Sequence, residues 1–105
     1  MDKKIPLSKP YIGEEELVQL KEVIASGWLG LGPKQREFEE LFAKKVGTKH
    51  AIAVSSGTCG LHLAMLEAGI GPGDEVITSP FSFVASVNPI IFCGGTPVFS
   101  EIDPK

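Results

Sequence analysis

The sequence predicts an α/β protein: N-terminal helices followed by a βαβαβ run whose strands form a parallel sheet in a three-layer α/β/α arrangement. Three observations carry this. Short segments with apolar centres (Ala51 to Val54, Glu75 to Thr78, Thr96 to Ser100) alternate with helical stretches, as the strands of a parallel sheet do. At Gly57 the pattern changes to a helical one, with Leu61, Ala64, Met65 and Ala68 at i, i+3, i+4 and i+7. Glycine and proline punctuate the chain between these segments.

Taken in order, Pro6 to Gly13 reads as an extended arm. A first helix spans Glu14 to about Ser26, with Glu14, Glu15 and Glu16 at its positive end and an apolar stripe of Leu17, Leu20, Val23 and Ile24. Ser26-Gly27 stops it. A glycine-rich loop runs to Gly32, and Pro33 stands in the favoured first turn of a second helix. Phe38, Leu41, Phe42 and Val46 form that helix's stripe, and Gly47 suits its C-terminal cap. Strand one is Ala51 to Val54, helix three Gly57 to about Ala68, with Gly69 ending it. The turn Gly71-Pro72-Gly73-Asp74 leads into strand two, Glu75 to Thr78. Helix four is expected from near Ser82 to about Cys93, kinked or shortened by Pro89. Thr96 to Ser100 is strand three. Right-handed crossovers would join the strands, and ligands of such sheets bind at the carboxyl ends of the strands. Ser55 to Thr58 and Ser79 to Phe83 sit at two of those ends.

The junction Val54-Ser55-Ser56-Gly57-Thr58 presents backbone N–H groups at a helix N-terminus, where the dipole favours an anion. Ser55, Ser56 and Thr58 add hydroxyls, and Gly57 lets a ligand approach the backbone closely. On these four residues alone an ordinary N-cap is the better account, since serine and threonine cap helices with or without a ligand. The segment lacks the lysine of a P-loop and the glycine spacing of a dinucleotide fingerprint. Phe81, Phe83 and Phe92, read alone, favour the core.

Six stretches in order change the balance: Gly27-Trp28-Leu29-Gly30-Leu31-Gly32-Pro33, then Phe38 to Ala43, then Ser55-Ser56-Gly57-Thr58 with Leu61-His62-Leu63-Ala64, then Gly71 to Thr78, Ser82-Phe83-Val84-Ala85-Ser86, and Gly95-Thr96-Pro97-Val98-Phe99. Together they resemble the N-terminal part of the DegT/DnrJ/EryC1/StrS family of fold-type I aminotransferases, which use pyridoxal phosphate (PLP), mostly on nucleotide-linked keto-sugars. The resemblance implies that Ser56, Gly57 and Thr58 hold the cofactor phosphate, that Phe83 stacks on the pyridine ring, and that Phe81 is core. Trp28 becomes a candidate for the substrate cleft, beside its equally good reading as an apolar plug for its loop. It further implies amino transfer from a donor, usually glutamate, in polysaccharide or amino-sugar biosynthesis, by a homo-oligomer, dimer favoured. The Schiff-base lysine of that family lies beyond Lys105, so no catalytic residue is assigned here. Residues 1–32 are then the arm, first helix and glycine-rich loop, and 33–105 an incomplete large domain. Two rivals stay open: a PLP-dependent sugar dehydratase of the same family, and a non-catalytic phosphate- or nucleotide-binding α/β module.

Composition sets the remaining bounds. With 105 residues, 43% of them hydrophobic, the chain can bury one modest core. A net charge of −3 offers no footprint for nucleic acid or an anionic membrane. No signal-peptide pattern or membrane-length apolar run is present, which with the reduced-cysteine reading below suggests a cytoplasmic protein. Cys59 and Cys93 lack the spacing of a disulfide framework or a metal site and read as two small buried hydrophobes. His50 and His62 have no ligand-spaced partners and read as structural. Cut after the third strand, the sheet would leave an edge and helix faces open, so the isolated chain is expected to self-associate and to lack activity.

Overall fold

The computed structural model describes residues 5–103 and divides into two compact units that meet in sequence between Ala53 and Val54. The first unit holds helices α1 (Glu14–Ser26) and α2 (Pro33–Val46). The second holds α3 (Gly57–Glu67), strand β1 (Glu75–Thr78), a 3-10 turn (Val84–Ser86), α4 (Asn88–Phe92) and strand β2 (Thr96–Phe99).

Helix α1 begins where its three glutamates predict. The Gly13 N–H donates to Glu16 Oε2 at 2.7 Å, which satisfies an orphan donor and, as the main cause, holds the Glu16 carboxyl below its ordinary value. Helix α2 starts at Pro33 and ends at Gly47, whose φ of 77° few other residues adopt without strain. The Gly47 and Thr48 N–H groups both donate to the Ala43 carbonyl, at 2.9 and 3.0 Å. Ala43 is buried, while Phe38, Leu41, Phe42 and Val46 remain largely exposed, so the apolar stripe of α2 is present but uncovered among the described residues.

The segment Ala51 to Val54 does not form the expected strand, and among the described residues the sheet has two strands rather than three. A strand is defined by its ladder, and here the Ala53 N–H is instead taken by a side chain, donating to Glu39 Oε1 at 2.8 Å. Gln35 Nε2 donates to the same oxygen at 3.0 Å. The Ala53 N–H first, then Gln35, keeps the Glu39 carboxyl below its ordinary value. The sign follows: a depressed carboxyl contributes stability above its unfolded pKa and loses it as pH falls through the folded one. Glu39→Gln keeps an acceptor for Ala53 but no longer titrates. Its melting temperature should therefore fall less steeply than the parent's on acidification through the carboxylate range, as calorimetry across that range will show. An equal acid slope in both proteins would remove Glu39 from the account.

In the second unit β1 and β2 pair in parallel, in register from Glu75 with Thr96 to Thr78 with Phe99. The turn before β1 closes on itself: the Gly71 N–H donates to Asp74 Oδ2 at 2.9 Å and the Asp74 N–H returns to the Gly71 carbonyl at 3.1 Å. The helix expected over Ser82 to Cys93 is replaced by two short pieces. Proline has no N–H to donate and its ring crowds the carbonyl four residues back, so Pro89 opens a new helix rather than kinking a long one. The Val87 N–H turns back to the Val84 carbonyl at 3.0 Å and separates α4 from the 3-10 turn.

The core of this unit is Ala85, Pro89 and Ile90, the last only 1% exposed, with α4 packed between α3 and β2. Gly95 fits against it closely. A Cβ there would lie 2.9 Å from Ile70 Cγ2 and 3.2 Å from Ile90 Cγ2, and Ile90 has no room to yield. Gly95→Ala should cost about 1–3 kcal/mol through overpacking, read as a lower denaturant midpoint. An unchanged midpoint would mean that this contact is looser than its distances. Phe81, Phe92 and Cys59, expected in the core, are exposed, and Cys93 is half-buried. A two-stranded sheet packed with α4, the 3-10 turn and one side of α3 has one small interior, and these side chains lie outside it. His62 packs edge-on against Phe92 with centroids 5.5 Å apart, a structural role as expected.

Candidate functional site

Helix α3 begins at the serine-rich junction. Ser56 is its N-cap, in extended backbone (φ −160°, ψ 159°), and its Oγ accepts the Cys59 N–H at 3.2 Å. The capping reading is therefore right, and it does not exclude a ligand: a hydroxyl has two acceptor sites and one proton, and the cap uses an acceptor. The N–H groups of Gly57 and Thr58 have no acceptor among the described residues. Thr58 is half-buried and Gly57 has open space where a Cβ would be. Ser55 takes another direction, its Oγ donating to Cys59 Sγ at 3.4 Å. That bond first, and the Ser56 hydroxyl second, lower the pKa of the exposed Cys59 thiol.

A few residues past the carboxyl end of β1 the chain presents Phe83 in extended backbone (φ −67°, ψ 142°) as the residue before the 3-10 turn. Its ring is 77% exposed. Ser56, Gly57, Thr58 and Leu61 on one side, and Ser82, Phe83, Ala85 and Ser86 on the other, line one open cleft of about 560 Å³. The two segments singled out in the sequence thus converge, with an aromatic face and free N–H donors on the same cavity. Phe81 does not line it. Ser82 and Ser86 do, and the sequence reading assigned neither a role; hydroxyls flanking Phe83 at i−1 and i+3 were the available signal. The Ser82 hydroxyl has no protein partner among the described residues.

The cleft's donors suit a phosphate: backbone N–H groups on a helix N-terminus, plus the Ser56 and Thr58 hydroxyls, with no carboxylate in the lining to repel it. Its volume and single aromatic wall suit a flat heteroaromatic ring carried on that phosphate.

Trp28 lies in the first unit, in a separate pocket of about 200 Å³ with Val23, Ser26, Gly32 and Lys34. Its backbone N–H donates to Ser26 Oγ at 3.1 Å, and the indole edge abuts Gly32, where a Cβ would stand 3.4 Å from Trp28 Cε3. The Lys34 ammonium beside it meets Glu22 at 3.1 Å and Glu37 at 3.4 Å, and Glu22 chiefly holds it above its ordinary pKa. His50 lines a third pocket, also of the first unit, with Arg36, Glu39, Glu40 and Lys49.

A parallel strand pair that brings a hydroxyl-rich helix N-terminus and an aromatic side chain to one cleft is an α/β unit of the fold-type I transferase class. The chain belongs to the DegT/DnrJ/EryC1/StrS aminotransferase family, whose model matches residues 10–105. It is 54% identical over 99 residues to the spore coat polysaccharide biosynthesis protein SpsC of Bacillus subtilis (strain 168), covering 94% of this chain and 25% of SpsC. Among solved structures it is similar to Spr1654 from Streptococcus pneumoniae in its PMP form (TM-score 0.89, 35% identity, 96% of this chain and 26% of that one). The PLP form of Spr1654 superimposes with the same TM-score of 0.89. The aminotransferase TlmJ from Streptoalloteichus hindustanus follows at TM-score 0.83, with 43% identity over 96% of this chain and 28% of TlmJ. The chain thus spans about a quarter of the length of each relative. No helix among the described residues is long and apolar enough to cross a membrane.

Proposed function

We propose that this chain supplies the phosphate cup and ring platform of a PLP-dependent aminotransferase acting in polysaccharide or amino-sugar biosynthesis. The observation that carries the reading is the convergence of Ser56, Gly57, Thr58 and Phe83 on one cleft in a chain of this family. In that role the Gly57 and Thr58 N–H groups and the Ser56 and Thr58 hydroxyls would hold the phosphate, and the Phe83 ring would offer the pyridine a stacking face. When bound, PLP acts as the electron sink for moving an amino group; the protein orients it and excludes competing geometries. The covalent lysine belongs to the remainder of the enzyme, so this segment binds and orients but performs no covalent step. The donor is glutamate and the acceptor a nucleotide-linked keto-sugar, as the family resemblance implies; the similarity to a polysaccharide biosynthesis protein supports the pathway alone. The enzyme works as a cytoplasmic homo-oligomer, dimer favoured, and Trp28 stays a candidate for its substrate cleft beside its reading as an apolar plug of its own loop.

The test uses the full-length enzyme with PLP, ¹⁵N-glutamate and a panel of nucleotide-linked keto-sugars, read by mass spectrometry. The expected result is ¹⁵N in an amino-sugar nucleotide with an equal amount of 2-oxoglutarate. Loss of water from the sugar without ¹⁵N transfer would replace this reading with the dehydratase. No PLP-dependent change in any sugar would leave the phosphate-binding module.

A further inference from the structure

Phe83 poses a mechanical problem. A stacking ring must keep its plane, yet Phe83 is 77% exposed and lies outside any strand or α-helix. What the structure holds is the backbone that carries the ring, through its carbonyl oxygen. That oxygen accepts two hydrogen bonds from one residue, the Ser86 N–H at 2.9 Å and Ser86 Oγ at 3.0 Å. The Ser86 carbonyl in turn accepts the hydroxyl of Thr78 at 3.4 Å. Thr78 is the half-buried last residue of β1, paired with Phe99 in the sheet. A continuous chain of side-chain bonds therefore runs from the end of the strand, through Ser86, to the backbone that carries the ring.

Ser86 also lines the cleft, so direct ligation must be weighed. Its hydroxyl proton is already committed to the Phe83 carbonyl, which leaves only lone pairs facing the cavity. Lone pairs repel a phosphate and do not hold one. We propose that Ser86 is a positioning residue: it holds the backbone of Phe83, and so the point and direction from which the ring projects into the cleft, with Thr78 anchoring it to β1. This rests on the reading of the cleft as the PLP site.

The experiment compares Ser86→Ala, Ser86→Thr, Phe83→Ala and the double variant in the full-length enzyme. PLP affinity is measured by equilibrium dialysis, ring geometry by the visible circular dichroism of the bound cofactor, and folding by melting of the cofactor-free protein. Loss of one neutral hydrogen bond predicts that Ser86→Ala loosens PLP roughly fivefold and weakens the dichroic band, with the melt unchanged. Ser86→Thr, which keeps the hydroxyl, should restore both. Because Ser86 acts only through the ring, adding Ser86→Ala to Phe83→Ala should cost nothing further. An equal loss in both backgrounds, or a lower melt with unchanged affinity and dichroism, overturns the proposal. If Phe83→Ala loosens PLP but Ser86→Ala does not, the positioning role alone falls. If Phe83→Ala itself has no effect, the platform and the positioning role fall together.

Discussion

Replacing Thr58 by valine in the full-length enzyme should weaken PLP binding by about 1–3 kcal/mol, the range for a hydrogen bond to a charged acceptor. Valine has the same shape and lacks only the hydroxyl donor. Thr58 is at the second position of α3 with its backbone N–H unpaired among the described residues, so the change leaves that N–H and the Ser56 cap in place. Threonine and valine also differ little in helix propensity, so the fold should be unaffected. The measurements are a PLP titration and a thermal melt of the cofactor-free protein. Unchanged affinity with a lower melting temperature would make Thr58 a helix-start residue and nothing more.

Phe83→Ala should cost roughly 2 kcal/mol of PLP affinity, combining lost aromatic stacking with lost apolar contact, and should shift the absorption band of the bound cofactor. Phe81→Ala is the matched control. The two rings are similarly exposed, 83% for Phe81 and 77% for Phe83, but only Phe83 lines the cleft. Equal effects on affinity would mean that neither ring is a platform; a larger effect at Phe81 would transfer the role.

What could be read from residues alone follows the range of the forces involved. Helices α1 and α2 and strand β1 have the predicted bounds because Gly27, Pro33, Gly47 and the Gly71–Asp74 turn punctuate the chain locally. The Ala51 to Val54 strand was not legible as unpaired, because pairing is a property of neighbours and Glu39, fourteen residues earlier, takes the Ala53 N–H. The apolar content around Pro89 predicts a helix running through it, whereas its missing N–H makes it a starting residue. Phe81 and Cys59 were assigned to the core on residue type, although burial depends on what else is present to cover them.

The cleft shows the same division. The segments Ser55 to Thr58 and Ser79 to Phe83 stand out in the sequence because each sits just beyond the expected end of a strand, the place where open α/β sheets gather ligands, while the cofactor roles of Ser56, Gly57, Thr58 and Phe83 come from the family resemblance alone. Their convergence on one cavity required coordinates. Thr78 and Ser86 escaped notice because they act on backbone carbonyls eight and three residues away, and no periodicity marks such bonds.

The most direct test of the central claim, that the start of α3 grips a cofactor phosphate, compares PLP with pyridoxal, which differs only by the missing phosphate. The full-length enzyme should bind PLP far more tightly, and Thr58→Val should lower PLP affinity while leaving pyridoxal affinity unchanged. Phe83→Ala should weaken both ligands alike, because both carry the ring. If Thr58→Val instead weakened PLP and pyridoxal by the same factor, the residue would not be reading the phosphate, and the cup assigned to Ser56, Gly57 and Thr58 would be wrong.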